Sequence, residues 1–93
     1  MDLIAKKAIV SGRVQGVFYR ATTKDRALKI NVKGYAKNLD DGTVEVLAIG
    51  EESSVDWLME WLWTGSRASK VRNVVTSDVS NIDTKQYSGF VTQ

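Results

Sequence analysis

Apolar and polar positions alternate along most of this chain, and their period changes between strand-like and helix-like. Ala5 to Val14, with Ala8-Ile9-Val10 at its centre, reads as a strand. A glycine-bearing stretch follows, and then Ala21 to Lys29 takes a helical pattern. There Ala21, Ala27 and Leu28 are apolar, while Lys24, Asp25 and Arg26 face outward. Asn31, which tolerates the left-handed conformation, is the expected C-terminal cap. Val32 to Leu39 is a second strand, and Asp40-Asp41-Gly42 a hairpin turn. Thr43 to Ile49 is a third strand, with Val44, Val46 and Ala48 on one face. Ser53 or Ser54 is placed to cap a second helix. Val55, Leu58, Met59 and Leu62 fall at i, i+3, i+4 and i+7, a core-facing stripe that Gly65 ends. Val71 to Val79 is a fourth strand, and Tyr87 to Val91 the candidate for a short fifth strand at the edge.

The order is β-α-β-β-α-β. It predicts an α+β, ferredoxin-like sandwich, with the two helices on one face of a four-stranded antiparallel sheet. The other face is expected to be partly wet. Residues 1–93 read as one domain, with no internal repeat or linker. This topology hosts many unrelated functions, so the site must carry any functional argument.

Composition narrows the chemistry by exclusion. The chain has no cysteine and no histidine. Disulfides, thiol nucleophiles, Cys/His metal sites and every histidine-based catalytic scheme are therefore excluded. No apolar run approaches the roughly 18 residues that would span a membrane. Lys6 and Lys7 interrupt the short apolar start, against a signal peptide. A soluble, cytoplasmic protein with no membrane partner is expected.

Charge is unevenly distributed. The net charge is +2, yet residues 1–39 carry +7 and residues 40–93 carry −5. The split suggests that the basic half meets an anion, although folding can intermix the two halves.

The candidate anion site is Gly12-Arg13-Val14-Gln15-Gly16-Val17-Phe18-Tyr19-Arg20. Glycines at a strand-to-helix turn let successive backbone N–H groups point into one concavity, here those of Gln15, Gly16, Val17, Phe18 and Tyr19. Gly12 and Gly16 would shape the turn. Arg20 adds a planar fork that can hold two phosphate oxygens. A lone Gly-x-x-x-Gly is more often a plain turn with a surface arginine. It is not a Walker loop either, since Gly-Lys-Ser/Thr is missing. Asn38, near the end of the second strand, could accept a hydrogen bond from water and aim it at phosphorus. By spacing alone, the plainer reading of Asn38 as a turn-flanking residue is favoured.

Gly12-x-Val14-Gln15-Gly16-Val17-x-x-Arg20, followed by Gly34-Tyr35-Ala36-Lys37-Asn38-Leu39-x-Asp41-Gly42-x-Val44-Glu45-Val46, closely resembles the acylphosphatase family over essentially the whole chain. The resemblance implies hydrolysis of acyl phosphates to carboxylate and phosphate with no metal or cofactor. It assigns Arg20 and the loop amides to the phosphoryl group and Asn38 to the attacking water. Inorganic phosphate would be product and competitive inhibitor, and a monomer is expected. A carboxylate leaves readily without a general acid, which fits a chain without histidine. With no acidic residue in the motifs before Asp40, the water proton would leave late, to a phosphate oxygen of the substrate.

The chain departs from the family pattern at three places. Tyr19 stands where phenylalanine is usual, so its hydroxyl needs a partner if buried. Ser66 follows Gly65 where proline is common, and a more mobile loop is expected there. The end, Phe90-Val91-Thr92-Gln93, lacks the usual final arginine, so a weak or frayed last strand is expected. Trp57, Trp61 and Trp63 on the second helix read as core-edge packing, with a partner surface as the sharper alternative.

Two other functions compete. Lys33-Gly34-Tyr35-Ala36 begins like the aromatic motif of an RNA-binding module of the same topology. Lys37 and Asn38 then stand where aromatic and apolar residues belong, so nucleic acid is not expected. The other alternative is a catalytically idle domain that binds anions or a partner.

Overall fold

The first apolar run forms β1 (Ile4–Arg13), and the glycine-bearing loop leads into α1 (Tyr19–Lys29). The chain returns as β2 (Lys33–Asn38), turns, and continues as β3 (Val44–Gly50). Then come α2 (Glu52–Trp61), β4 (Lys70–Asp78), a short 3-10 turn at Thr84–Gln86 and β5 (Phe90–Thr92). This computed structural model describes residues 3–93. Met1 and Asp2, counted in the expected 1–93 domain, lie outside the described residues.

The sheet has five strands in the order β4-β1-β3-β2-β5. β1 pairs antiparallel with β3 and β4, and β2 antiparallel with β3. The expected four-stranded antiparallel sheet is thus present, and β5 extends it in parallel alongside β2, with Gly34 opposite Phe90. That docking leaves Phe90 only 2% exposed.

Both helices contribute to the main core, which lies against one side of the sheet. From α2 come Val55, Leu58 and Met59, with Leu62 just beyond its end, all buried as the periodicity predicts. They meet Ala8 and Val10 of β1 and Val44, Val46 and Ala48 of β3. Full burial of Leu58 or Leu62 contributes about 2 kcal/mol relative to exposure.

α1 corrects two expectations. It begins at Tyr19, not Ala21, and its buried stripe is Tyr19, Thr23 and Ala27; Ala21 and Leu28 are exposed. A buried threonine is tolerated because its Oγ1 donates to the Tyr19 carbonyl at 2.8 Å, so no polar group is left unpaired. Asn31 takes φ 58°, the left-handed conformation expected after this helix. At α2 neither serine caps the start. Glu51 stands at the N-cap without a side-chain hydrogen bond.

The opposite sheet face is drier than expected. Ala5, Leu47 and Ile49 are buried there beneath Val79, Ile82 and Tyr87, from the segment that leads from β4 towards β5. Tyr35 packs against Tyr87 with ring centroids 6.3 Å apart, and donates its hydroxyl to Glu45 Oε2 at 2.6 Å. Among the described residues no helix is long and apolar enough to cross a membrane.

Candidate active site

The site grows from the loop between β1 and α1. Val14 is buried and anchors it to the core. Gly16 takes φ +73° and Phe18 φ +62°. These left-handed residues lie within a turn leading to a helix, an arrangement that makes backbone N–H groups converge on one concavity. Glycine adopts this φ freely, whereas Phe18 does so at a cost of about 1–2 kcal/mol. Gly12 lies elsewhere. It belongs to β1, at the register shift beside Ser11, where a Cβ would stand 2.2 Å from the Lys70 carbonyl oxygen. Its role is to let β1 and β4 approach, not to bend the loop.

The loop's donors are unused. Among the described residues, nothing accepts from the backbone N–H groups of Gln15, Gly16, Val17 or Phe18. Phe18 is also the N-cap of α1, without a side-chain cap, and the first turn holds no acidic residue. An uncapped N-terminus leaves the N–H groups and the positive end of the helix dipole for an external anion.

Of these residues Gly16 and Phe18 line a cavity of about 290 Å³, together with Val14, Tyr19, Arg20, Ala21 and Thr92. Arg20 leaves the first turn of α1, and its Nη1 donates to the Gln93 carbonyl at 2.6 Å. Among the described residues its other guanidinium nitrogens have no hydrogen-bond partner. One edge of the fork is thereby fixed and another left for an anion.

Asn38 ends β2 and is not part of that cavity lining. Two links bring it to the site. Its backbone N–H donates to the same Gln93 carbonyl at 3.1 Å. The Gln15 side chain reaches across, its Nε2 donating to the carbonyls of Leu39 at 2.8 Å and Thr43 at 2.9 Å. Gln15 thus ties the amide loop to the β2–β3 turn one residue beyond Asn38. The Asn38 Oδ1 atom is buried with no hydrogen-bond partner, the one such side-chain atom among the described residues. A buried acceptor left open costs about 1–3 kcal/mol, which a bound water or ligand would recover.

The end of α2 braces the loop from behind. Tyr19 is 1% exposed, and its hydroxyl donates to the Leu62 carbonyl at 2.7 Å. Burial pushes the phenol's pKa well above its ordinary value. The ring lies 6.2 Å from that of Trp61, over which the Arg26 guanidinium stacks at 5.8 Å. Trp57 and Trp63 are about half exposed, so only Trp61 fits the expected core-edge packing. Ser66, at the usual proline position, is buried. Its Oγ donates to the Val17 carbonyl at 2.7 Å, and Ser69 Oγ donates to the Ser66 carbonyl at 2.6 Å. These hydrogen bonds tie the loop at the position where the family pattern carries a proline ring.

The sequence reading missed the Gln15 side chain, Ser66 and Gln93. Gln15 entered only through its backbone. Ser66 and the chain's last residues stand out in the sequence only as departures from the family pattern. The amide of Gln93 donates to the Ala36 carbonyl at 2.8 Å, so the segment after β5 is bonded into the site and not frayed. No side-chain signal marks a contact made through a backbone carbonyl.

Known proteins resemble this chain in both sequence and fold. The family model described as Acylphosphatase matches residues 6–92. An acylphosphatase of Chromohalobacter salexigens is 59% identical over 68 residues, covering 73% of this chain and 76% of that protein. One from Vibrio parahaemolyticus is 41% identical over 90 residues, covering 97% of each. The solved acylphosphatase of Coxiella burnetii superposes with a TM-score of 0.90 at 37% identity, over 99% of this chain and 94% of that one. The chain belongs to the acylphosphatase family.

Proposed function

We propose that this acyl phosphate hydrolase holds the phosphoryl group in the amides of residues 15–19 and the Arg20 fork, while Asn38 aims the attacking water. The observation that carries this reading is the open, buried Oδ1 of Asn38, on a residue linked to the amide loop through the Gln15 side chain and to Arg20 through the Gln93 carbonyl. Phosphoryl transfer asks mainly for positioning and charge stabilisation, and these groups supply both.

The water oxygen forms a bond to phosphorus as the bond to the carboxylate oxygen breaks. The carboxylate departs with that electron pair, and the water proton passes to a phosphate oxygen. No enzyme base is needed. Asp41, an acidic residue of the turn, is engaged: its Oδ1 accepts from the backbone N–H and the hydroxyl of Thr43. Those bonds hold its carboxyl below the ordinary carboxylate range, which makes it a poor base.

Charge neutralisation comes from Arg20 and backbone dipoles, so the reaction runs without metal or cofactor. The substrate is a small acyl phosphate, and inorganic phosphate competes for the same donors. The protein acts as a cytoplasmic monomer. The RNA-binding alternative loses support, because Tyr35 is packed on Tyr87 and bonded to Glu45. The test is hydrolysis of benzoyl phosphate in the presence of a chelator. Sustained turnover, retained in Asp40→Asn and Asp41→Asn, supports the reading. Turnover abolished by the chelator or by either substitution contradicts it.

A further inference from the structure

Phe18 is 80% exposed, the most exposed large hydrophobic among the described residues, and it sits in the left-handed conformation that disfavours side chains. Packing does not hold it there, since its ring meets solvent. Nor does capping, since it makes no side-chain cap for α1. An exposed aromatic in a strained backbone at a ligand loop is the kind of outlier that points to function.

We propose that the Phe18 ring is the acyl-side subsite, and that it directs the enzyme toward acyl phosphates bearing aromatic or bulky apolar groups. The inference rests on the phosphate-binding reading above. Only two covalent bonds separate the Phe18 amide nitrogen from its Cβ. A phosphate oxygen held by that N–H, at about 3 Å, therefore lies beside the base of the ring. The acyl carbon is joined to phosphorus through one bridging oxygen, so the acyl group begins within van der Waals reach. In-line displacement places the leaving group on the side of phosphorus away from the water. The positions agree: Phe18 lines the cavity with Gly16, Arg20 and Thr92, and Asn38 does not. The left-handed φ at Phe18 holds amide and ring as one unit, with the first aimed at the anion and the second left for the apolar part of the same molecule.

The experiment compares kcat/KM for benzoyl phosphate and acetyl phosphate in the wild type, Phe18→Tyr and Phe18→Asn. Asparagine tolerates the left-handed backbone, so the loop keeps its shape while the ring is lost. The readout is the benzoyl-to-acetyl ratio compared between variants, which cancels any common effect on phosphate binding and the intrinsic reactivity of the two anhydrides. Aromatic contact predicts that the ratio falls about five- to tenfold in Phe18→Asn. It should stay within about twofold of wild type in Phe18→Tyr. An unchanged ratio in Phe18→Asn overturns the proposal. Calorimetric binding of benzylphosphonate against methylphosphonate reads the same subsite without turnover. Wild-type protein that hydrolyses neither acyl phosphate contradicts the hydrolytic reading. In that case the phosphonate pair still decides the subsite, in its favour if the benzyl preference exists and is lost in Phe18→Asn, and against it otherwise.

Discussion

Arg20 and Asn38 meet on a single oxygen: the Gln93 carbonyl accepts from Arg20 Nη1 at 2.6 Å and from the Asn38 backbone N–H at 3.1 Å. The proposed anion clamp and the proposed water-positioning residue are thereby held to one point, although they lie on different elements. The contact uses main-chain atoms of Gln93, so its side chain is dispensable. Gln93→Ala should leave phosphate inhibition within about twofold of wild type, since no acceptor is lost. Deleting residues 91–93 should weaken inhibition by inorganic phosphate at least about tenfold, the loss of roughly one charge-assisted bond's ordering. Inhibition constants measured on the two variants check this. Equal effects would refute it.

Gln15 is the second tie. Its Nε2 bonds to Leu39 and Thr43 hold the amide loop against the turn that follows Asn38. Gln15→Ala leaves two carbonyls without this donor and should cost about 1–2 kcal/mol in urea unfolding. Because Asn38 loses its register with the loop, kcat should fall about tenfold, while phosphate inhibition changes less. Gln15→Glu should be worse, because a carboxylate then faces two carbonyl oxygens. Normal kcat in Gln15→Ala would show that the tie does not position Asn38.

Ser66 acts through a peptide plane. Its hydroxyl donates to the Val17 carbonyl, which shares a planar trans peptide with the Phe18 N–H. Fixing one end of that plane fixes the other, the Phe18 N–H, in the opposite direction. Ser66→Ala should raise KM and the phosphate inhibition constant together by about three- to tenfold, the scale of one neutral hydrogen bond, with kcat little changed. Ser66→Thr, which keeps the hydroxyl, should recover part of the loss. A fall in kcat alone would contradict this role.

Tyr19 links stability to pH. Its phenol is held neutral by burial, with its pKa raised above the ordinary value near ~10. The folded state thus keeps a proton that the unfolded chain releases above about pH 10. The resulting stability is fully present below that pH and is lost as the pH rises further. Tyr19→Phe should remove the bond to the Leu62 carbonyl and lower the Tm by about 4–8 °C at neutral pH, for about 1 kcal/mol. It should also flatten the alkaline fall in Tm, part of which remains because Tyr35 is shifted the same way by burial and by Glu45. Thermal melts of both proteins from pH 7 to 11 test this.

The strands, the turn at Asp40-Asp41-Gly42 and the α2 stripe were legible because each is written in local spacing. Asn31 was legible for the same reason, since its left-handed conformation follows from its own side chain. What escaped was non-local or carried by the main chain. Thr23 was hidden as a core residue because its hydroxyl is satisfied by its own helix. The parallel pairing of β5 with β2 follows from a crossover that three residues of strand cannot announce. Gln15, Ser66 and Gln93 each act across 24 to 73 residues on a carbonyl or through one, and carbonyls are the same in every residue. The residues of the candidate site could be picked out from motif and resemblance, whereas the ties that hold them together could not.

The central claim is the division of labour between anion binding and water positioning, and Asn38→Ala tests it most directly. Turnover of benzoyl phosphate and competitive inhibition by inorganic phosphate should be measured on the same preparation. Loss of a positioned polar group predicts a fall in kcat of about a hundredfold or more, with the phosphate inhibition constant within about threefold of wild type. Arg20→Gln, measured alongside, should lose both. Near-normal turnover in Asn38→Ala, or parallel loss of turnover and phosphate inhibition, would contradict the account.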